Sequence, residues 1–346
     1  MAGKSAFMTN KNMNWKFNSG AEPFALSPAG KDYLWGGRRL KDDFSKEIDL
    51  SPLAETWECS THPDGTSRVV SGIHKDRLLT DVIGEHPEYL GTHPKTKGEL
   101  PILIKFIDAK RDLSVQVHPD DIYAAQHENG SLGKTEMWYV LDAGKDASLV
   151  YGFYHDMEKG LLRKSIEDGT VEKYLQRIAV KKDDVFFIEA GQVHAIGAGT
   201  LIAEIQENSN ITYRLYDYNR VDKNGNRRPL HLDKALDVAN LKGSKEPIQP
   251  MRVLKFHRGY ATDLLCRCQY FQVERMLLNT ERCREMAAFR TGSNSFQVFL
   301  CTEGCGVLFW EKGQMLNFYK GDCIFVPADS VEFRLHGKAC LLKVSC

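Results

Sequence analysis

The sequence predicts a mainly β protein with helical insertions, organised as two domains. Three observations lead to this class. Short apolar or alternating runs recur along the chain, and residues two apart on such a run share one face of a strand. Helical spacing is confined to about 120–130, 156–178 and 230–240. The length of 346 residues is typical of about two domains, and the polar, proline-containing segment 242–250 is the best linker.

The strands are expected on both sides of this linker. In the first part they are predicted at 100–108, 113–118, 137–141, 148–153, 185–189 and 200–206. After the linker, short β-like runs separated by glycine turns indicate a small antiparallel barrel or sandwich. We therefore expect a flexible leader at 1–20, a catalytic domain at 21–245 and a second domain at 250–346.

Composition excludes several kinds of partner. The 46 basic and 46 acidic side chains cancel, which argues against nucleic acid or an anionic membrane as the main partner. A small phosphorylated ligand needs only a few local cations, so it is compatible with a net charge of zero. No apolar run approaches the roughly 18 residues of a membrane span, and residues 1–20 lack the apolar core of a signal peptide. Nine cysteines without an export signal favour reduced thiols in the cytoplasm. We expect a monomer or a homodimer.

Two cysteine pairs, Cys266 with Cys268 and Cys301 with Cys305, could each form half of a zinc site. A structural zinc site is usually built from paired CxxC-type knuckles, and no second pair of that kind is evident. We interpret these residues as ordinary thiols.

The sharpest local signal is the run SVQVHPDD at Ser114–Asp121. Gln116 and His118 stand two apart on a strand, so both side chains project from one face and can reach one ion. Glu136 opens the next strand, and His194 follows an apolar strand through a glycine turn. A single histidine is more often structural, but four such residues at strand ends favour a metal site. The mixed nitrogen and oxygen set suits zinc, iron, manganese or cobalt.

A second signal combines a carboxylate with two guanidinium groups. Glu204 lies on an alternating strand, and Arg214 and Arg220 follow in a turn-rich segment. This set suits a general base beside an anion clamp, although a surface salt-bridge ladder is the alternative. Lys105 lies within the apolar run ILIKFI, where a buried lysine is costly unless it is paired. It either extends to a sheet edge or belongs to the site.

In their order and spacing these motifs resemble the type I phosphomannose isomerases, in their shorter bacterial form. The family's S-x-Q-x-H-P strand, K-x-E strand, G-x-x-H-A turn and E-x-x-x-x-S-[DN]-x-T-x-R segment match Ser114–Pro119, Lys134–Glu136, Gly191–Ala195 and Glu204–Arg214. Its upstream tryptophan motifs match Tyr33–Gly36 and Glu55–Trp57. The resemblance runs from about residue 32 to residue 220.

The resemblance implies a cupin barrel with one divalent metal per chain, expected to be zinc, on Gln116, His118, Glu136 and His194. It implies active-site roles for Lys105, Lys134, Glu204, Arg214 and Arg220. We take Glu204 as the first candidate for the base and a lysine as the second, and we expect burial to raise the pKa of Glu204. Candidates for substrate binding are Ser114, Arg220 and Trp35.

Two departures from the family pattern limit what carries over. Asn210 stands where many relatives carry Asp, and Glu189 replaces the proline of the general cupin turn. Near the C-terminus, residues 320–332 also resemble a cupin turn, but Glu332 occupies the position of the metal histidine. The resemblance therefore implies two cupin-like jelly-roll barrels, the first catalytic and the second degenerate and metal-free.

The implied activity is that of an aldose–ketose isomerase. It would interconvert mannose 6-phosphate and fructose 6-phosphate by metal-assisted proton transfer through a cis-enediol. A non-catalytic sugar-sensing cupin is one alternative, against which Glu204, Lys134 and Arg214 argue. An iron-dependent cupin oxygenase is another, for which Gln116 is a poor ligand.

Overall fold

A computed structural model describes residues 20–94, 98–221, 224–281, 283, 285–311 and 313–346. The predicted leader at 1–20 lies outside these ranges except for Gly20. Within them, no helix has both the length and the apolar character needed to span a membrane.

The strands before the linker are β1 (Phe24–Ser27), β2 (Ala29–Lys31), β3 (Glu55–Cys59), β4 (Arg68–Val69), β5 (Ile102–Ala109), β6 (Val115–Val117), β7 (Glu136–Ala143), β8 (Ser148–Phe153), β9 (Leu175–Ala179), β10 (Val185–Ile188), β11 (His194–Ile196), β12 (Thr200–Glu207) and β13 (Tyr213–Tyr216). The helices are α1 (Arg39–Asp42), α2 (Leu79–Glu85), α3 (Asp121–His127), α4 (Lys159–Glu167) and α5 (Leu232–Val238). After the linker come β14 (Lys255–His257), β15 (Tyr260–Arg267), β16 (Gln272–Asn279), β17 (Ala287–Phe289), β18 (Gln297–Trp310), β19 (Gln314–Tyr319), β20 (Cys323–Val326) and β21 (Phe333–Ser345). Short 3₁₀ turns occupy Gly72–His74, Pro87–Leu90 and Val171–Lys173.

The first lobe consists of two antiparallel sheets that face each other. The six-stranded sheet has the order β10-β7-β12-β5-β3-β2, and the five-stranded sheet has the order β13-β6-β11-β8-β9. One apolar core contains Trp138 and Ile202 from the first sheet with Leu149 and Ile196 from the second. Since the inner faces share this core, the strands form a β-sandwich or barrel, and the expected mainly β class is confirmed.

The outer faces of both sheets are also covered. Helices α4 and α5 pack outside the five-stranded sheet through Leu162 and Leu236. The six-stranded sheet packs its outer face, including Phe106, against strands after the linker. All eight residues of β5 are buried as a result, which explains why Lys105 lies in an otherwise apolar run.

The second lobe is one ten-stranded antiparallel sheet, most of which follows the order β14-β15-β16-β21-β18-β20-β1-β4. The predicted domain boundary at 245–250 falls before β14. Two strands from before that boundary, β1 and β4, extend the sheet beside β20. The division into two domains stays a prediction. The N-terminal strands β1 and β4 belong to the sheet of the second lobe, so the chain crosses between the lobes before residue 70.

The three predicted helical insertions contain α3, α4 and α5, but the expectation for 156–178 is wrong in its second half. Gly169, with φ of 67°, follows α4, and a single 3₁₀ turn comes next. Leu175–Ala179 is then strand β9, because the edge of β8 pairs with it and Leu149 lies opposite Ile178. Long-range pairing overrides the local helical spacing here.

Candidate active site

Strand register aligns the predicted ligands across the five-stranded sheet. Gln116 of β6 lies opposite His194 of β11 on one side and opposite Arg214 of β13 on the other. Directly opposite residues project to the same face, so these three side chains form a row. Glu136 enters this space from β7 of the facing sheet. The space between the two sheets therefore collects the residues that the sequence singles out.

The two imidazoles are oriented by backbone carbonyls. Nδ1 of His118 is 2.8 Å from the Ile211 carbonyl oxygen, and Nδ1 of His194 is 2.8 Å from that of Gln192. A ring that donates from Nδ1 presents the lone pair of Nε2 to the cluster. Burial lowers the pKa of His118 well below its ordinary value and that of His194 to about 4. Both rings are neutral at pH 7 and competent as metal ligands.

Glu136 completes the cluster from the opposite sheet. Its Oε1 is 3.4 Å from His194 Nε2, and its Oε2 is 3.6 Å from His118 Nε2 and 2.8 Å from Lys134 Nζ. The carboxylate is fully buried, and burial together with the charge of Glu204 raises its pKa to about 7. Buried oxygens that converge with two imidazole nitrogens, all within 4.8 Å of one another, fit a divalent cation.

Gln116 lies beside these three residues. Its Nε2 is 3.3 Å from His194 Nε2. As a ligand it would present Oε1, which requires the other orientation of the amide.

A second row of side chains crosses the six-stranded sheet. Lys105 lies opposite Glu204 on β12 and opposite Trp57 on β3, and Glu204 lies opposite Trp138. Lys105 Nζ is 3.2 Å from Glu204 Oε1 and 3.7 Å from Glu55 Oε2. Each carboxylate also accepts an indole N–H, at 3.0 Å from Trp138 and 2.8 Å from Trp57. These partners hold one buried lysine between two buried carboxylates.

The charges in this row set the protonation states. Burial lowers the pKa of Lys105, but the nearby Glu55 and Glu204 outweigh it and raise that pKa overall. Burial raises the pKa of Glu204, but the ammonium groups of Lys134 and Lys105 outweigh it, and the net pKa is lowered. The expectation of a raised pKa for Glu204 is therefore wrong, because the sequence does not show that two lysines lie beside it. At pH 7 Lys105 is a cation and Glu204 an anion.

A cavity of about 170 Å³ lies next to the metal cluster. Seven of the predicted site residues line it: Trp35, Lys105, Ser114, Gln116, Lys134, Glu204 and Arg214. Tyr33, Glu55 and Arg228 also line it, without having been assigned a role. Gln116 and Lys134, which contact the His118, Glu136 and His194 cluster, thus line the same cavity as the charged side chains.

Three arginines surround the outer part of this space, and they differ in position. Arg214 Nε is 3.3 Å from Ser114 Oγ, and Arg214 Nη1 donates to the Pro229 carbonyl at 2.9 Å. Arg228 lines the cavity and donates to Asp217 at 2.8 and 2.5 Å. Arg220 bonds to Asp217 and to a backbone carbonyl, and it is not among the residues that line the cavity. The structure places Arg228 where Arg220 was expected.

Comparisons with known proteins agree with this geometry. Residues 24–142 match the profile described as phosphomannose isomerase type I, catalytic domain. The mannose-6-phosphate isomerase ManA of Bacillus subtilis is 38% identical over 92% of this chain and 97% of its own length. The putative mannose-6-phosphate isomerase YvyI of the same species is 36% identical over 93% of this chain and 98% of its own.

The chain belongs to the type I phosphomannose isomerase family. A crystal structure of the mannose 6-phosphate isomerase from Bacillus subtilis superposes with a TM-score of 0.84 at 33% identity, covering 94% of this chain and 99% of that one. The family resemblance seen in residues 32–220 thus extends across both lobes.

Among the cavity residues without a predicted role are Tyr33, Glu55 and Arg228. Glu55 and Tyr33 lie in the two upstream motifs that match the family, so the signal for them was present. Arg228 lies in a loop without a motif, and only its contact with buried Asp217 brings it to the cavity.

Two departures from the family pattern have visible contacts. Asn210 Nδ2 donates to Asp64 Oδ2 at 2.8 Å, a bond that an ionised Asp at this position could not donate. Glu332 lies 3.4 Å from Arg334 in an ion pair. All nine cysteines are free thiols, and none belongs to a metal-ligand group among the described residues.

Proposed function

We propose that this chain interconverts mannose 6-phosphate and fructose 6-phosphate with the help of one zinc ion. The observation that carries the proposal is the buried His118, Glu136 and His194 cluster beside a cavity lined by Lys105 and Glu204, in a chain of this family. A sugar-binding protein without turnover has no need of a buried carboxylate and lysine next to such a cluster.

The metal would be held by His118, Glu136 and His194, with Gln116 as a fourth ligand. Two neutral imidazoles and oxygen donors without a thiolate suit zinc. A bound divalent ion would polarise the sugar oxygens and stabilise negative charge on the enediolate. The protein's own part is to hold these donors in place from two facing sheets.

Proton transfer between C1 and C2 needs a group in its basic form. Glu204 is ionised at pH 7 because Lys134 and Lys105 lower its pKa, so it can accept the proton and return it to the neighbouring carbon. Lys105 stays charged between Glu204 and Glu55, where it holds Glu204 in place and donates to developing negative charge. Lys134 is the second candidate for the proton transfer, since it lies between His118 and Glu136 at 3.2 and 2.8 Å.

The phosphate would lie against the arginines at the outer part of the cavity. Asp217 contacts Arg220 and Arg228, and its pKa is lowered because their guanidinium groups outweigh the effect of burial. No described carboxylate forms an ion pair with Arg214, and burial and Arg228 lower the pKa of Arg214. Asp217 neutralises only part of the positive charge of Arg220, Arg228 and the nearby Arg214, and the remainder can match a phosphate dianion.

The two cavity arginines are expected to act differently when replaced. Arg228→Ala should raise KM about 10–100-fold with little change in kcat. A charge-assisted contact with the phosphate contributes roughly 1.5–3 kcal/mol, and this contact is expected to be equally strong with the bound substrate and with the transition state. Arg214→Ala should lower kcat about 10²–10³-fold, because its guanidinium steadies charge that develops during the reaction. Arg214→Lys should not restore it fully, since a point charge lacks the planar fork.

Steady-state kinetics of these variants, with inhibition by inorganic phosphate, test the assignment. Arg227→Ala is the matched control, since Arg227 is the exposed neighbour and does not line the cavity. Weaker inhibition by phosphate in Arg228→Ala supports a phosphate contact. Unchanged KM and unchanged inhibition in that variant would remove Arg228 from the site.

The function itself is tested by a coupled assay for fructose 6-phosphate formed from mannose 6-phosphate. We expect turnover that is lost on chelation and restored by zinc. Glucose 6-phosphate, which differs at C2, serves as the control substrate. Saturable binding of mannose 6-phosphate with no product under any divalent metal would instead indicate a sugar-binding protein.

A further inference from the structure

The segment Gly133–Thr135 brings Lys134 and Glu136 into the active site, and two carboxylates hold it from behind. Gly133 N–H donates to Asp121 Oδ1 at 2.9 Å, and Thr135 N–H donates to Glu207 Oε1 at 2.7 Å. Between them, Lys134 N–H donates to the Pro119 carbonyl at 3.0 Å. All three backbone N–H groups are thus fixed, two of them by side chains that do not line the cavity.

The segment has no room to move toward these carboxylates. A Cβ atom on Gly133 would lie 2.5 Å from the backbone of Asp120 and Asp121. The loop therefore rests directly on the start of α3, and its position depends on the side chains beneath it.

The two carboxyl groups also lie near each other, in the lining of one small cavity. The negative charge of Asp121 acts on the Glu207 carboxyl group and favours its protonated form, which can donate a hydrogen bond. Glu207 is only 2% exposed, and burial followed by the charge of Asp121 raises its pKa to about 8. Glu207 is therefore mostly protonated at neutral pH.

The second lobe contributes to the same unit. Tyr270, from the loop before β16, donates its hydroxyl to Asp121 Oδ2 at 3.0 Å. Asp121 thus accepts one hydrogen bond from Gly133 and one from Tyr270 of the second lobe. The remaining titratable groups near the pair are Cys268, whose pKa is raised by burial, and His93 and Cys346, which line the same small cavity of about 230 Å³.

We propose that Glu207 and Asp121 are positioning residues, two carboxyl groups that together hold Gly133–Thr135 so that Lys134 and Glu136 point into the active site. Through Tyr270 the second lobe braces this pair, which gives that lobe a part in catalysis without a metal of its own. The effect on turnover rests on the proposed isomerase activity, whereas the effects on the loop and on stability do not.

The proton on Glu207 makes the unit sensitive to alkaline pH. Because the pKa of Glu207 is raised in the folded protein from 4.5 to about 8, the folded state binds more protons than the unfolded state between these values. The stability contributed by the pair is complete below the ordinary pKa and declines as the pH rises toward about 8. Above that pH the ionised Glu207 and the nearby Asp121 repel each other, and the segment Gly133–Thr135 loses its support.

The test compares Glu207→Gln and Glu207→Ala with the unaltered protein from pH 5 to pH 9. Glutamine reproduces the protonated acid, since it accepts from Thr135 and donates to Asp121. We expect Glu207→Gln to keep kcat within a few-fold at pH 6.5 and to flatten the alkaline decline of both kcat and the free energy of unfolding. Glu207→Ala should lower kcat about 10–100-fold, as is typical when a partner behind a metal site is removed.

Hydrogen exchange at the Gly133 and Thr135 amides gives a readout that is independent of activity. Exchange should accelerate in Glu207→Ala and, more mildly, in Tyr270→Phe, but not in Tyr319→Phe, the same change at an exposed position of the second lobe. Identical pH profiles of stability for the unaltered protein and Glu207→Gln would overturn the proposal, as would unchanged exchange in Glu207→Ala. If these readouts hold while no isomerase turnover is found, the proposed function fails and the positioning role stands.

Discussion

Replacing His118 with alanine is expected to remove the divalent metal and to lower kcat by about 10³-fold or more, since metal stabilisation of developing charge contributes several kcal/mol. The change deletes one of the two proposed Nε2 ligands and leaves Glu136, which is fully buried, with Lys134 as its ion-pair partner. A conservative surface change cannot mimic this loss, because the donor set converges from both sheets.

Elemental analysis of the purified protein measures the effect directly. The unaltered chain should hold one equivalent, His118→Ala should hold much less, and Glu332→Ala, at the matching position of the second lobe, should hold the full equivalent. Two equivalents in the unaltered chain would show that the second lobe also binds metal. One full equivalent in His118→Ala would remove His118 from the ligand set.

Glu204→Gln is expected to lower kcat about 10²–10⁴-fold, the usual contribution of a general base. The amide can still accept the indole N–H of Trp138, so the fold around it should persist. What it cannot do is take a proton from carbon. Reaction in D₂O should therefore place solvent deuterium in the sugar more slowly with this variant than with the unaltered protein at the same enzyme concentration.

Glu55→Gln is the matched control for Glu204→Gln. It removes the same charge from beside the same lysine, at 3.7 Å instead of 3.2 Å, and also leaves an indole partner in place. A similar loss of kcat in both variants would mean that the charge around Lys105 matters and that Glu204 is not the base. Nearly full activity in Glu204→Gln would transfer the role to Lys134.

The predictable part of the site is the part encoded over short distances. Gln116 and His118 share a face because they stand two apart on one strand, and His194 follows a recognisable glycine turn. These are local patterns, and the structure brings all of them together with Glu136. The same holds for α3, where Asp120 accepts a bond from the Tyr123 N–H at 2.8 Å at the expected helix start.

The unpredicted part depends on contacts between distant segments. The lowered pKa of Glu204 comes from lysines on two other segments of the chain. The exchange of Arg228 for Arg220 at the cavity depends on how Asp217 divides its contacts. Strand β9 exists because β8 offers it an edge. None of these three features can be predicted from the local spacing of residues in the sequence.

The pairing of β1 with β20 has a consequence for how the chain is made. Phe24 lies opposite Phe325, a partner 301 residues further along the chain. Synthesis proceeds from the N-terminus, so β1 can pair with β4 early, but it waits for most of the chain before β20 exists on its other side. Until then the outer face of the six-stranded sheet, with Phe106, Met137 and Ile205, lacks its cover. The outer face of the six-stranded sheet can therefore be fully covered only after β20 and β21 have been synthesised, and we expect a chain halted before them to be prone to aggregation.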